Sequence, residues 1–181
     1  DTTLVTWPES TSIVLIDPIN ILPYMLGHAI GGPAAGYNML LYLSHVLLGV
    51  AGVALARRVG GDPLIGVVAA QICPPFIASP ATGMTEEFGA GWVALFCVTL
   101  LSFLERRRLW TGILAAVLLS LCWYSGPYNG LWAGLIGLLI AAGSARKIRR
   151  LGAAAAVGVG GMVLTLPLAN AILRERHQDL P

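Results

Sequence analysis

Five acidic residues stand where a carboxylate could do chemistry: Asp1, Glu9, Asp17, Glu86 and Glu87. A carboxylate within hydrogen-bond reach of a hydroxyl can act as its general base. A second carboxylate, or a bound divalent cation, can orient an acceptor or offset charge on a leaving group. Each acid also has an ordinary reading. Asp17 precedes Pro18, and an aspartate followed by proline opens a helix well. Glu86 and Glu87 follow Thr85, a fitting N-cap, so they would sit in a first helical turn where the dipole favours negative charge. Adjacent helical residues point about 100° apart, so one of the pair can face a site while the other faces water. Glu9 reads otherwise as a solvated loop charge, and Asp1 has no preceding context.

Other groups could bind rather than react. His28 follows Gly27 and could hold a phosphate or mark a membrane interface. Trp7 belongs to an amphiphilic opening stretch. Trp123, Tyr124 and Tyr128 flank Ser125-Gly126-Pro127, where aromatics either form an interfacial belt or offer a stacking platform for a sugar or a polyprenyl chain. His45 and Gln71 are strongly polar side chains inside apolar runs, a setting that marks functional candidates. A hydrogen bond to a neighbouring helix accounts for such a group equally well. Cys73, Cys97 and Cys122 also fall in apolar runs, with no C-x-x-C or Cys/His cluster, and read as packing.

The elements that must position these residues follow from composition. Hydrophobic residues make up 56% of the chain and charged residues 11%, against roughly 25% charged in soluble domains. The chain lacks the charge to cover a water-facing surface, and lipid is the solvent that fits. No basic stretch is interleaved with aromatics, which argues against nucleic-acid binding. A crossing takes about 20 mostly apolar residues. The runs that qualify are Tyr37–Ala56, Leu64–Pro80, Phe88–Leu104, Leu109–Tyr124, Tyr128–Gly143 and Leu151–Ile172. The fourth and fifth are short and read as a hairpin turning at Ser125-Gly126-Pro127. The expected class is therefore all-α: a polytopic bundle of about six crossings over 37–172, an external amphipathic loop over 1–36, and the start of another external loop over 173–181.

Charge sets the expected orientation. Nine of the 11 Lys/Arg, namely Arg57, Arg58, Arg106, Arg107, Arg108, Arg146, Lys147, Arg149 and Arg150, fall at one face of such a bundle. The positive-inside rule makes that face cytoplasmic, placing both ends of the sequence outside the cell membrane. A chain starting outside implies a helix before Asp1, so the sequence reads as an excerpt of a longer protein. In the opening loop, Asp17-Pro18 should start a short helix lying along the membrane surface, and Pro23 should kink or end it. Pro74-Pro75 and Pro80 should break the second crossing, which is tolerated where backbone lines protein or a water-filled cavity. The small residues of Ala153–Val163 favour close helix packing.

This order of features resembles the front part of GT-C-type membrane glycosyltransferases. The resemblance rests on an acid-bearing external loop, then Tyr37-Asn38-x-Leu40-Leu41 opening a helix that closes Ala54-Leu55-Ala56-Arg57-Arg58. A helix ending near Ser79-Pro80 and the Gly83-x-Thr85-Glu86 turn before Gly91-Trp92 complete it. It implies sugar transfer from a polyprenyl-phosphate donor on the outer face of the membrane. Asp1 would be the essential acid, with Glu86 and Asp17 as further candidates. Glu87, Trp7, His28, Trp123, Tyr124 and Tyr128 would contact substrate. A Mg²⁺ or Mn²⁺ ion held by Asp1 and Glu86 is the implied cofactor. No paired Asp-x-Asp is present. A transporter or flippase, with His45 and Gln71 near the midplane, is the rival reading, and a non-catalytic membrane protein of the same architecture is a third.

Overall fold

The computed structural model describes residues 18–72, 89–143 and 148–178. All regular structure among them is α-helical: α1 Pro18–Arg58, α2 Pro63–Gln71, α3 Ala90–Arg106, α4 Leu109–Tyr124, α5 Pro127–Gly143 and α6 Ile148–Gln178. Two stretches, Ile19–Arg58 and Arg150–Asn170, are long and apolar enough to cross a membrane, and Leu109–Tyr124 and Pro127–Gly143 are shorter apolar helices. Large apolar side chains stand bare along them, among them Ile30, Leu109, Trp110, Leu138, Leu139 and Met162. Soluble monomers rarely leave such surface contiguous.

The first helix is two arms. Gly31 and Gly32 leave helical geometry, and Gly32 takes φ 76°, a left-handed value that glycine adopts without steric penalty. The first arm folds back on the second: a Cβ on Gly27 would lie 2.8 Å from Met39 Cβ, and Gly36 sits against the Tyr24 ring. Pro23, expected to kink or end this helix, does not end it. The chain continues helically through it, forgoing the one backbone bond that its nitrogen would have donated, and the break falls at the glycines instead. At the other end of the chain α6 runs helically through Gln178, where a loop was expected from 173. Polar composition marks where apolar surroundings stop, and Arg and Glu remain good helix formers beyond that point.

Packing contacts fix the directions. Gly52 in α1 meets Gly66 in α2 backbone to backbone, and Gln71 reaches back to His45, so these two helices are antiparallel. Gly91 contacts Leu47 and Arg58 contacts Ser102, so α1 and α3 run the same way. Gly112 lies on Phe103, Gly137 on Phe96, and Gly160 and Gly161 on Ala116 and Leu119. Thus α1 after its bend, α3 and α5 run one way, and α2, α4 and α6 return. The core lies around α4, with Ala115, Leu118, Leu119 and Cys122 packed on Phe96 and Leu100 of α3, Ala133 of α5 and Val157 of α6. Hydroxyls inside the helices satisfy themselves locally: Ser44 donates to the Leu40 carbonyl at 2.8 Å and Ser102 to Val98 at 2.8 Å. This alternation brings Arg57, Arg58, Arg106, Arg107, Arg108 and the first turn of α6 to one end of the bundle.

Candidate functional site

The opposite end of the bundle carries a buried polar junction. Helix α4 stops at Ser125, and Gly126 takes φ 142° to let α5 begin at Pro127. That hairpin is where the apolar spacing put it. Ser125 is fully buried and its hydroxyl donates to the Cys122 carbonyl at 3.0 Å. The buried Asn129, one turn into α5, donates its amide to the Ser125 hydroxyl and carbonyl, both at 3.3 Å. Onto this pair comes Gly89, the N-cap of α3. A methyl group there would collide with the Ser125 hydroxyl and stand 2.7 Å from Asn129 Cγ. Glycine is the residue that lets α3 start so close to the hairpin.

The second feature at this end lies between the arms of α1. An open groove of about 410 Å³ is lined by Gly27, Ile30, Ala35, Asn38, Met39 and Tyr42, mostly apolar with Asn38 as its polar member. Just before Gly27, the Tyr24 ring lies 5.8 Å from the His28 ring, tilted by 42°. The Tyr24 hydroxyl is buried and without a hydrogen-bond partner among the described residues, a cost that a bound polar group or water would relieve.

Several candidates from the sequence fall outside the described residues: Asp1, Trp7, Asp17, Glu86 and Glu87. Glu9, Thr85, Pro74, Pro75 and Pro80 lie outside them too. The remaining four are distributed rather than joined. His28 is half-buried beside Tyr24. The Trp123 ring packs against Gly130 within the α4–α5 hairpin. Tyr124 donates its hydroxyl to the Leu164 carbonyl of α6 at 3.2 Å. Tyr128 is exposed. Trp123 and Tyr124 therefore serve helix packing, and Tyr128 faces outward. His45 and Gln71 are also engaged: the His45 ring bonds the Leu41 carbonyl at 2.7 Å, and Gln71 donates to the His45 carbonyl at 2.9 Å.

Sequence reasoning passed over Ser125, Asn129 and Gly89. Their signal was a polar pair four residues apart across a Gly-Pro turn inside apolar sequence, a spacing that puts both on one side of the turn. No three His, Cys, Asp or Glu side chains among the described residues come together as a cation site, and the acids assigned to one, Asp1 and Glu86, are not among those residues. No family model, no curated protein and no solved structure matches this chain.

Proposed function

We propose that the chain crosses the cell membrane six times with its arginine end cytoplasmic, and that it is a glycosyltransferase working at the outer face on a polyprenyl-phosphate-linked sugar. The separation of the two ends carries this reading. All the described guanidiniums between Arg57 and Arg108 gather at one end. The opposite end holds the Ser125–Asn129–Gly89 junction, two residues along the sequence from Glu87, and a mostly apolar groove of a size that suits a lipid chain.

In this reading a carboxylate at the outer face, Asp1 with Glu86 as the second candidate, takes the proton of an acceptor hydroxyl. The oxygen attacks the anomeric carbon as the bond to the polyprenyl phosphate breaks, and the phosphate departs with the electron pair. The bilayer supplies the donor's tail, and the groove between the arms of α1 offers it apolar wall. A Mg²⁺ or Mn²⁺ ion held by Asp1 and Glu86 would offset charge on the departing phosphate. Transport is the weaker alternative, because the His45 ring is already bonded to the Leu41 carbonyl of its own helix and Gln71 is used in holding α2 to α1.

The test is sugar transfer in membranes carrying the full-length protein, supplied with a panel of polyprenyl-phosphate sugars. Asp1→Asn should lower turnover by about 10²–10⁴-fold, the range of a lost general base, with expression unchanged. Glu86→Gln should cost less, and Asp17→Asn little, since Asn caps as well as Asp. If none of the three changes alters a measurable transfer rate, the external-carboxylate mechanism is wrong. Absence of transfer with every donor would favour the transport reading.

A further inference from the structure

The arginine end carries more positive charge than the fold consumes. Its acids among the described residues are Asp62 and Glu105, and both are engaged. Asp62 accepts the Leu64 amide at 2.7 Å as the N-cap of α2. Glu105 takes the guanidinium of Arg58, whose other nitrogen donates to Ser102 at 3.3 Å. Arg57, Arg106, Arg107 and Arg108 are exposed, and no carboxylate among the described residues pairs with them. The Arg58–Glu105 pair ties the end of α1 to the end of α3, so these cations share one end of one helix pair.

Backbone geometry concentrates them. Arg107 takes φ 54°, uncommon outside glycine, while its amide closes α3 on the Phe103 carbonyl at 2.8 Å. Arg108 is extended, its carbonyl accepts the Thr111 amide and hydroxyl, and α4 begins at Leu109. The chain reverses within two residues, and both of them are arginine. This end also carries a bare apolar collar: Leu109 and Trp110 beside this turn, the latter 80% exposed, and Val59, Leu64 and Ile65 at the turn from α1 to α2.

Guanidiniums above a collar of apolar side chains match one ligand chemistry. A phosphodiester oxygen pair fits the planar fork of arginine, and acyl chains attached to that phosphate would cover the collar. A soluble acidic peptide would leave the collar bare. We infer that the surface formed by Arg57, Arg106, Arg107 and Arg108 binds the headgroups of anionic phospholipids, with Trp110 at the depth of the glycerol backbone. This rests on the membrane placement proposed above and is independent of the transferase chemistry.

The experiment measures lipid retained by the full-length protein purified in mild detergent, with phosphatidylglycerol or phosphatidylcholine of the same acyl chains added at equal concentration. Phosphatidylglycerol should be retained roughly tenfold or more over phosphatidylcholine, and high salt should erode that ratio. R106Q/R107Q/R108Q should abolish the preference, and R106K/R107K/R108K, which keeps the charge but loses the planar fork, should retain only part of it. Equal retention of the two lipids by the wild type overturns the proposal whether or not the glutamine variant folds. So does a preference that survives the glutamine changes in a monodisperse protein. Inorganic phosphate that displaces phosphatidylglycerol at equal concentration would mark a free-anion site and overturn the lipid assignment.

Discussion

Gly52 of α1 and Gly66 of α2 lie backbone against backbone, each filling the place where the other would carry a side chain. A Cβ on Gly52 would stand 2.9 Å from Ala70 Cβ, and one on Gly66 would stand 2.6 Å from Ala56 Cβ. Each glycine thus faces the alanine one turn beyond the other helix's glycine. Two small-xxx-small faces, Gly52 with Ala56 and Gly66 with Ala70, lock the antiparallel pair by close backbone approach.

Because the obstruction at Gly52 includes the Gly66 carbonyl, no side-chain rotation can relieve it. Gly52→Ala or Gly66→Ala should therefore destabilise the detergent-solubilised protein by about 1–3 kcal/mol. Gly158→Ala, where the added Cβ meets open space, should be neutral or slightly stabilising through helix propensity. Thermal unfolding of the three variants checks this, and equal effects at all three would contradict the packing.

Gly89, Ser125 and Asn129 should behave as one unit. Asn129→Ala should cost about 0.6–2 kcal/mol, the range for polar side chains bonded within membrane bundles. Gly89→Ala should destabilise the wild type but much less so the Asn129→Ala protein, because the colliding amide is gone. A double-mutant cycle should show coupling above about 0.5 kcal/mol, and simple additivity would mean that Gly89 does not press on Asn129.

The orientation can be read with an impermeant maleimide in a background where Cys73, Cys97 and Cys122 are alanine. Tyr128→Cys should label on intact cells, and Gly61→Cys only after permeabilisation. Labelling of Gly61→Cys alone on intact cells would invert the topology, and equal labelling of both would refute the crossing between them.

At the other end, the Arg58 side chain is 16% exposed and that of Glu105 56%. Solvent screening at Glu105 should hold the loss from Glu105→Gln to less than about 1 kcal/mol, and added salt should shrink it further. Arg58→Gln should cost more, because it also gives up the bond to Ser102 and uncovers Glu105. Equal losses for the two, insensitive to salt, would show that the ion pair contributes nothing specific.

The helix boundaries near Leu109, Tyr124 and Gly143 were legible because apolar runs end at charge or at a Gly-Pro turn, which are local properties. The convergence of the arginines was legible for the same reason: hairpins of alternating direction return each basic cluster to the same end. The bend in α1 was not. Pro23 is the conspicuous breaker in the sequence, yet a proline forfeits only a single backbone bond, whereas Gly31-Gly32 offers the left-handed conformation that a reversal needs. The Ser125–Asn129 pair was illegible in another sense, since its burial depends on α3 arriving with a glycine at residue 89, a contact between segments distant in sequence. The candidate acids Asp1, Asp17, Glu86 and Glu87 belong to segments outside the described residues, so their part in a site remains a reading of the sequence.

The two-residue connection between α4 and α5 has a consequence for how the protein is made. With 16 and 17 residues, these helices are about 24 and 26 Å long, each shorter than the roughly 30 Å hydrocarbon core. Ser125 and Asn129 would be costly to bring into lipid alone, but they bond to each other and to Cys122 within the hairpin itself. The pair therefore holds its own polar groups satisfied before any other helix is present. In the six-crossing arrangement proposed above, it should leave the ribosome and partition into the bilayer as one closed unit, giving α6 a finished surface of Ala116 and Leu119 on which to settle.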